Sequence, residues 1–341
     1  MIANPRMQLL ARWETFLLGL IGLTVLAFSL PASPWYSPYF FNAANMLGMS
    51  QRVIAVALMA LPLTLIVIAG HIDLSVESTL AMAAIVFVTK WADGLNIWLA
   101  ALAALAAGGV GGLFNGLVIT RIKLPSLVVT LGTYALFRGL AYLVLGDHAV
   151  DLSKAPSTFL NIGQGYISTT PIPQFLLLFA ILALIFGLVL HRTSFGRFIY
   201  AIGSNEEACR YSGVRVDLII VTLFIISGIM AALAGVVEAT RLDSARADIG
   251  TGLLLDTVTA VVLGGVDIFG GRGTIAGPVL ALVLIALLRG GLGLLQISDD
   301  VANLLVGCLL IGSILLPNLV RQLRASIARR ARRITPAPSL Q

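Results

Sequence analysis

The chain has 341 residues, of which 58% are hydrophobic and 11% are charged, and its formal net charge is +6. Soluble globular proteins carry roughly 25% charged residues, so this composition excludes an ordinary soluble enzyme or nucleic-acid-binding domain. A helix needs about 20 apolar residues to cross the hydrocarbon core of a bilayer. Most of the chain is therefore expected to lie in lipid.

Ten apolar runs, separated by polar or Gly/Pro breaks, predict an all-α, polytopic membrane helix bundle that forms one domain. The first run is interpreted as a retained span and not as a signal peptide, because further spans follow it. The third and eighth runs are short for full crossings. Residues 1–13 and the basic tail 318–341 lie outside the bundle predicted at 14–317. The ten runs cover residues 14–31, 52–69, 78–90, 97–120, 126–145, 174–190, 217–239, 253–266, 275–295 and 301–317.

The distribution of lysine and arginine predicts the orientation of these spans. Fifteen basic residues fall on the side that carries both termini, whereas five fall on the other side, namely Arg52, Lys90, Lys154, Arg241 and Arg246. Because basic residues near span ends are retained in the cytoplasm, both termini are predicted to be cytoplasmic. The basic tail either contacts anionic lipid or is simply solvated.

Motifs for enzymatic chemistry are missing from the sequence. There is no GxxxxGK[ST] phosphate loop, no HExxH and no GxSxG motif, so neither ATP hydrolysis nor another catalytic activity is predicted. Cys209 and Cys308 are far apart in the sequence and have no Cys or His cluster nearby, so neither a disulfide nor a metal site is expected. Transport or scaffolding remains as the class of function.

Small residues recur at four-residue spacing in two spans. Gly108, Gly112 and Gly116 share one helix face, and the stretch from Ser227 to Gly235 repeats the pattern. Such faces allow close helix packing, although they can also line a pathway. Asn115 lies beside the first face, where it forms either an interhelical hydrogen bond or a solute contact.

The segment from Gly70 to Ser78 places Asp73, Ser75 and Glu77 directly after an apolar run. Charged groups are costly at membrane depth and tend to pair or to line a cavity. The pattern indicates a broken helix, in which Asp73 caps the restart through amides two or three residues on. A role in the solute pathway or gate is the alternative interpretation.

Three further polar residues belong to the fifth run. Arg138 lies too deep in its span to reach the interface easily, so it requires a partner, and Asp73 and Glu77 are the candidates. A structural ion pair and a substrate contact are both considered. Thr130 and Thr133 can hydrogen-bond their own helix backbone or contact the pathway.

A polar stretch on the predicted cytoplasmic face indicates a short helix lying between two spans. Ser204 or Asn205 can cap it, acidic residues follow in its first turn, and Gly213 can end it. A glycine near each end of a short helix favours docking into a partner. A solvated connector, which needs no such punctuation, is the alternative interpretation. The stretch comprises Gly203, Ser204, Asn205, Glu206, Glu207, Ala208, Tyr211 and Gly213.

Three motifs resemble the inner-membrane permeases of carbohydrate ABC importers, the group that serves ribose, xylose, rhamnose and autoinducer-2. The family pattern Gly-Gly-Ile-Asp-Leu-Ser-Val-Gly is matched by residues 70–77. The Thr-x-x-Gly-Arg and Ala-x-Gly-x-Asn patterns are matched at 193–197 and 201–205, and the glycine-rich turn at 264–274 follows Ala245 to Gly250. His71 and Glu77 replace glycines of the first pattern, so Glu77 is either a specialised solute contact or part of a local pairing.

The resemblance implies a transporter subunit of the bacterial inner membrane and not an enzyme. ATP and magnesium would be bound by a partner ATPase, present as two copies or as a fused dimer, and the helix at 206–213 would be the coupling helix seated in it. A second permease chain, identical or related, and a periplasmic sugar-binding protein would complete the importer, with membrane lipid around it. The expected cargo is a rhamnose, pentose or autoinducer-2-like furanose.

Three alternatives differ in what they predict. An ion-coupled secondary transporter would keep working after ATP depletion but would stop with an uncoupler. A membrane scaffold would show no solute flux. A branched-chain amino-acid permease shares the coupling-loop pattern, but the Ile-Asp-Leu-Ser segment resembles the sugar branch more closely.

Overall fold

Helices make up most of the structure, a computed structural model that describes residues 13–168, 170–313 and 315. The 3-10 turn Ser50–Val53 joins α2 to α3, and residues 299–313 form a further helical segment. The helices are α1 Trp13–Ser29, α2 Ala43–Met49, α3 Ile54–Ile68, α4 Val76–Ala92, α5 Ile97–Ile122, α6 Ser126–Leu145, α7 Ser157–Gln164, α8 Gln174–Arg192, α9 Ser194–Ser204, α10 Glu206–Tyr211, α11 Val216–Arg241, α12 Leu253–Leu263 and α13 Ala276–Leu294.

Six helical stretches in the described part of the chain are long and apolar enough to cross a membrane. They are Ala43–Ile68, Ile97–Ile122, Ser126–Leu145, Gln174–Arg192, Val216–Arg241 and Ala276–Leu294. The chain is therefore a multi-pass membrane protein. The runs predicted as the first, third and eighth spans form α1, α4 and α12, which have 17, 17 and 11 residues. Helix length alone thus supports six crossings, and the count of ten stays a prediction.

Parts of the predicted organisation fall outside the described residues. These parts are residues 1–12 of the N-terminal segment, the end of the run at 301–317 and the basic tail 318–341. Three helices were not predicted at all: α2 before the second run, α7 in the long loop after α6, and α9 before the predicted coupling helix. All three are much shorter than a span, so no long apolar run marks them.

The centre of the bundle is formed by α3, α4 and α11. Every residue of α3 is buried, from Ile54 to Ile68. By contrast, α5, α6 and α8 bury only a minority of their side chains and expose large apolar ones, such as Leu143 and Leu184. Exposed apolar faces of this kind are expected on helices that contact lipid.

The small-residue face of α5 packs directly against the backbone of α11. A Cβ atom added at Gly108 would overlap the carbonyl oxygen of Gly228, and one added at Gly112 would overlap that of Phe224. Two turns further along the same face of α11, a Cβ at Gly235 would overlap the carbonyl of Leu80 in α4. These glycines let α11 make direct backbone contact with both α5 and α4, as the four-residue spacing predicts.

Two short strands depart from the predicted all-α class. Strand β1, Ala149–Asp151, pairs antiparallel with β2, Ser244–Arg246, in the register Ala149 to Arg246. They join the long loop after α6 to the loop after α11. Beside them, the Gln164 side chain of α7 donates a hydrogen bond to the carbonyl of Thr240 at 2.9 Å. The loops at this end of the bundle are thereby fixed against the last turn of α11.

Candidate functional site: a broken helix and the loop beneath it

The chain leaves helical geometry between α3 and α4 while it is still inside the bundle. Gly70 has a φ of +83°, which glycine adopts without steric cost. The N–H of Ile72 donates to Ser126 Oγ at 3.1 Å, and Thr130 Oγ1 donates to the Ile72 carbonyl at 3.3 Å. Non-helical backbone is tolerated at membrane depth only where protein satisfies it or a cavity adjoins it, and here α6 supplies the partners.

A buried polar cluster holds the restart of the helix at α4. Asp73 Oδ1 accepts hydrogen bonds from the N–H and the hydroxyl of Ser75, at 3.0 and 2.6 Å. This is the hydrogen bond to the amide two residues on that the sequence indicates, although the N-cap position of α4 is occupied by Ser75 and not by Asp73. Asp73 Oδ2 accepts from the hydroxyl of Ser227, at 2.8 Å, and Asn115 Nδ2 donates to Ser75 Oγ at 2.9 Å. The cluster ties α4 to the middle of α5 and α11.

Glu77 is the partner of Arg138, one of the two candidates that the sequence offered. Arg138 Nη2 donates to Glu77 Oε1 at 2.8 Å, while Nη1 donates to the carbonyls of Ala247 and Ile249 at 2.9 and 3.0 Å. The Glu77 carboxylate is 2% exposed. The ion pair therefore links α4, α6 and the loop that leads into α12.

The second oxygen of Glu77 caps another broken helix. Glu77 Oε2 accepts from the N–H groups of Gly252 and Leu254 at 3.1 and 2.8 Å. A carboxylate at a helix N-terminus is stabilised by the helix dipole, so Glu77 serves α12 as a capping group supplied by another element. The starts of two short helices, α4 and α12, thus meet at one carboxylate.

The threonines of α6 mainly satisfy their own helix. Thr130 Oγ1 donates to the Ser126 carbonyl at 2.8 Å, and Thr133 Oγ1 donates to the Val129 carbonyl at 3.2 Å. Neither they nor the other predicted pathway residues line the two large polar cavities of the described structure. Those other residues are Asp73, Ser75, Glu77, Asn115 and Arg138. Their hydrogen bonds instead connect the helices inside the bundle.

The predicted coupling helix is present as α10, six residues long. Asn205 caps it, with its side-chain oxygen accepting from the Ala208 N–H at 2.9 Å, and Gly213 follows with a φ of +79°. Glu207, Ala208 and Tyr211 are exposed, and Tyr211 is 85% exposed. Tyrosine is enriched among the residues that anchor protein–protein interfaces, and the Tyr211 side chain is accessible for such a contact.

Gly203 lies beneath this helix and not on its exposed face. A Cβ atom added there would overlap the carbonyl oxygen of Ile68 and would lie 2.5 Å from the N–H nitrogen of Gly271. The Gly271 N–H donates to the same Ile68 carbonyl at 2.8 Å, and Tyr200 donates to the Gly273 carbonyl at 2.7 Å. The end of α9, the end of α3 and the glycine-rich turn therefore interlock through backbone contacts. We call this contact the glycine joint.

A series of ionisable side chains connects α10 to the broken helix. His71 Nε2 lies 3.8 Å from Glu206 Oε2, and Glu206 Oε1 accepts from Arg210 Nη2 at 2.8 Å. Arg210 also pairs with Asp217 at the start of α11. The hydrogen bonds that Arg210 donates, first to Asp217 and then to Glu206, raise the pKa of the guanidinium. Ser204, between Gly203 and the cap, donates to the Tyr200 carbonyl at 2.9 Å.

Comparison with known proteins identifies the family of the chain. Residues 45–314 match the family described as branched-chain amino acid transport system, permease component. The chain is 35% identical over 309 residues to the autoinducer 2 import system permease protein LsrD of Klebsiella pneumoniae, covering 89% of this chain and 91% of that one. The chain belongs to this permease family.

Further similarities agree with that assignment. The Escherichia coli K12 autoinducer 2 import system permease protein LsrD is 33% identical to this permease over 303 residues, covering 88% of this chain and 90% of that one. A solved metal-chelate type ABC transporter in an inward-facing conformation matches the fold with a TM-score of 0.50 at 16% identity, covering 89% of this chain and 98% of that one. As in its relatives, the permease is a transporter subunit and not an enzyme, with the ATPase on a separate subunit.

Sequence reasoning missed a second buried ion pair in the permease. Arg289 Nη2 donates to Asp256 Oδ1 at 2.7 Å and to Asn303 Oδ1 at 2.8 Å. Arg289 could have been singled out, because an arginine inside an apolar run needs a partner. Asp256 was hidden, because it lies in the first turn of α12, where an acidic residue is ordinary.

Within the described ranges of the permease, no group of three or more His, Cys, Asp or Glu side chains lies close enough to hold a metal ion. Cys209 is a buried free thiol and Cys308 an exposed one.

Proposed function

We propose that this permease translocates a small carbohydrate, of the autoinducer-2, rhamnose or pentose type, across the bacterial inner membrane. The observation that carries this proposal is the 33–35% identity to autoinducer 2 import permeases over about nine-tenths of the chain. The alternative cargo, a branched-chain amino acid, is the one that the family description names. The Ile-Asp-Leu-Ser segment and the length of the similarity favour the carbohydrate.

The proposal includes a full importer around the chain. A second permease chain, two ATPase subunits or a fused dimer that bind ATP and magnesium, and a periplasmic sugar-binding protein are the proposed partners, and lipid covers the apolar faces of α5, α6 and α8. Ten spans, with both termini in the cytoplasm, are the proposed topology. The described helix ends agree with this orientation, since α10 and the glycine-rich turn 264–274 lie at one end of the bundle and Arg241 at the other.

In this proposal α10 receives force from the ATPase and the glycine joint passes it to the broken helix. The exposed Glu207, Ala208 and Tyr211 would contact the ATPase. Gly203 would transmit its movement to Gly70 and hence to the segment that carries Asp73 and Ser75. Two groups of residues would then act as the gate by holding the starts of α4 and α12 together. The first is the Asp73 cluster, with Asn115 and Thr130, and the second is the Glu77–Arg138 pair, with Thr133 nearby in α6.

The cargo is tested by calorimetric binding to the partner binding protein. Autoinducer 2, rhamnose, ribose and xylose are titrated in turn, with leucine and valine as the rival class. Binding of one carbohydrate at micromolar or tighter affinity, with no binding of the amino acids, supports the proposal. Binding of an amino acid and of none of the carbohydrates would move the permease to the other branch.

The role of α10 is tested by the substitution Tyr211→Ala. Truncating a central aromatic anchor commonly costs 2 kcal/mol or more in a protein interface, so affinity for the ATPase should fall at least about 30-fold. Tyr39→Ala is the matched control, because Tyr39 is also exposed, at 68%, but lies in the loop between α1 and α2. Equal affinity for wild type and Tyr211→Ala would remove α10 as the docking element.

A further inference from the structure

A polar cavity of about 490 Å³ lies beside the start of α12, at the helix ends remote from α10. Small-molecule sites commonly have volumes of about 300–1,000 Å³. None of the residues lining this cavity was singled out as a pathway residue by the sequence patterns. Six charged or amide side chains that line it come from five parts of the fold: Arg52, Arg241, Asp256, Arg289, Asp299 and Asn303.

Several hydrogen-bonding groups in this cavity have no partner among the described residues. Arg289 makes both of its hydrogen bonds through Nη2, and its Nε is buried without a partner among the described residues. Arg52 and Asp299 likewise form no ion pair with any described residue. Arg241 is paired with Glu238. The cavity therefore offers a guanidinium donor from Arg52 and a carboxylate acceptor from Asp299 to an incoming molecule.

The mixture of donors and acceptors matches a hydroxyl-rich solute. A guanidinium only donates and a carboxylate only accepts, whereas a hydroxyl does both. The lining carries three arginines and two aspartates, and Glu238 neutralises one of the arginines, so the charges are nearly balanced. A strongly charged ligand would require one sign of charge to dominate. A neutral molecule with neighbouring hydroxyl groups can satisfy both kinds of partner.

The cavity is lined by two charged residues that belong to apolar helices. Asp256 and Arg289 lie within apolar helices, where charged groups are costly and tend to mark pathways. An ion pair that served only to hold α12 to α13 would need neither Asn303 nor a cavity beside it. The carboxylate Asp256 follows Gly252 and Leu254, whose N–H groups are held by Glu77. The cavity is therefore one helical turn away from the proposed gate.

We propose that this cavity binds the neutral, hydroxyl-rich solute before it passes the gate. The proposal rests on the proposed function and deepens it by naming the residues that would receive the solute. Asn303 and Asp256 would accept hydrogen bonds from solute hydroxyls, or the hydroxyls would replace them as partners of Arg289. Arg52 would donate hydrogen bonds to the solute. The solute would reach the starts of α4 and α12 from the side remote from the ATPase.

Thiol protection in the assembled importer tests whether solute occupies the cavity. Asn303→Cys is made in a background of Cys209→Ser and Cys308→Ser, reconstituted in proteoliposomes and labelled with a membrane-impermeant maleimide. Autoinducer 2, rhamnose and ribose, each supplied with the binding protein, serve as probes. We expect the transported probe to slow labelling at least five-fold, whereas labelling of Asp93→Cys, in the exposed loop after α4, stays unchanged. Equal labelling rates at Asn303→Cys with and without every probe would overturn the proposal.

The ratio of solute imported to ATP hydrolysed separates solute binding from other roles of the cavity. Asn303→Ala should lower this ratio at least five-fold while ATPase stimulation by the loaded binding protein is retained, and Asn303→Asp, which keeps the acceptor, should lower it less. Asp93→Asn is the control with an unchanged ratio. If stimulation and flux fall together and the ratio is constant, the cavity serves docking of the binding protein and the proposal fails. If wild type imports none of the probes, the proposed function itself fails.

Discussion

The substitution Glu77→Gln tests the junction of the two broken helices. The carboxylate accepts from Arg138 and Tyr134 through Oε1 and from the N–H groups of Gly252 and Leu254 through Oε2. Glutamine has nearly the same shape but only one acceptor oxygen. Whichever way the amide is turned, its NH₂ group faces two donors.

The expected loss of stability follows from these orphaned donors. Each buried donor left without a partner costs about 1–3 kcal/mol, and removing one member of a buried ion pair commonly costs about 3–5 kcal/mol. We expect Glu77→Gln to lower the free energy of unfolding by about 3 kcal/mol. Unfolding is followed by circular dichroism during titration of mixed micelles with sodium dodecyl sulfate.

Two further variants make this measurement specific. Glu207→Gln removes an exposed carboxylate on α10 and should change the free energy of unfolding by less than about 0.5 kcal/mol. The double variant Glu77→Gln/Arg138→Met should lose less than the sum of the two single variants, because each single variant leaves one unpaired buried charge and the double variant leaves none. A loss below about 0.5 kcal/mol for Glu77→Gln, or full additivity in the double variant, would refute the account of this junction.

Two other predictions concern the glycine joint and the Asp73 cluster. Gly203→Ala should lower the thermal unfolding midpoint and ATP-driven uptake together, because the added Cβ overlaps the Ile68 carbonyl. The control Gly132→Ala, with nothing within 4 Å of its Cβ, should leave both unchanged. A wild-type midpoint for Gly203→Ala would contradict the proposed role of the glycine joint. Asp73→Asn should cost less than about 1 kcal/mol, because the Ser227 hydroxyl can accept from the new NH₂ group as readily as it donates to the carboxylate; a loss as large as that of Glu77→Gln in the same titration would show that the charge of Asp73 is required.

The local features of this permease could be predicted from sequence because they depend on neighbouring residues. The cap at Asp73 follows from a carboxylate two residues before an amide, and the short helix α10 follows from Asn205 and Gly213. The small-residue face on α5 follows from spacing alone. Each of these signals lies within one turn or one helix.

The tertiary features could not be predicted, because pairing between distant segments depends on how the helices are arranged. The sequence predicted either Asp73 or Glu77 as the partner of Arg138, and only the fold shows that Asp73 instead faces Ser227. Gly203 was placed among coupling residues by its motif, whereas its role as a backbone contact of Ile68 requires coordinates. The pair of Asp256 and Arg289, thirty-three positions apart, has no local pattern.

The central claim, that this chain forms the pathway of an ATP-driven carbohydrate importer, is tested most directly by flux. Proteoliposomes that contain the permease, its ATPase and the loaded binding protein are given labelled autoinducer 2, rhamnose or ribose, with ATP inside or withheld. We predict uptake of one of them that requires ATP and is unaffected by a protonophore. Uptake that persists without ATP and collapses with the protonophore would contradict the claim and identify an ion-coupled transporter instead.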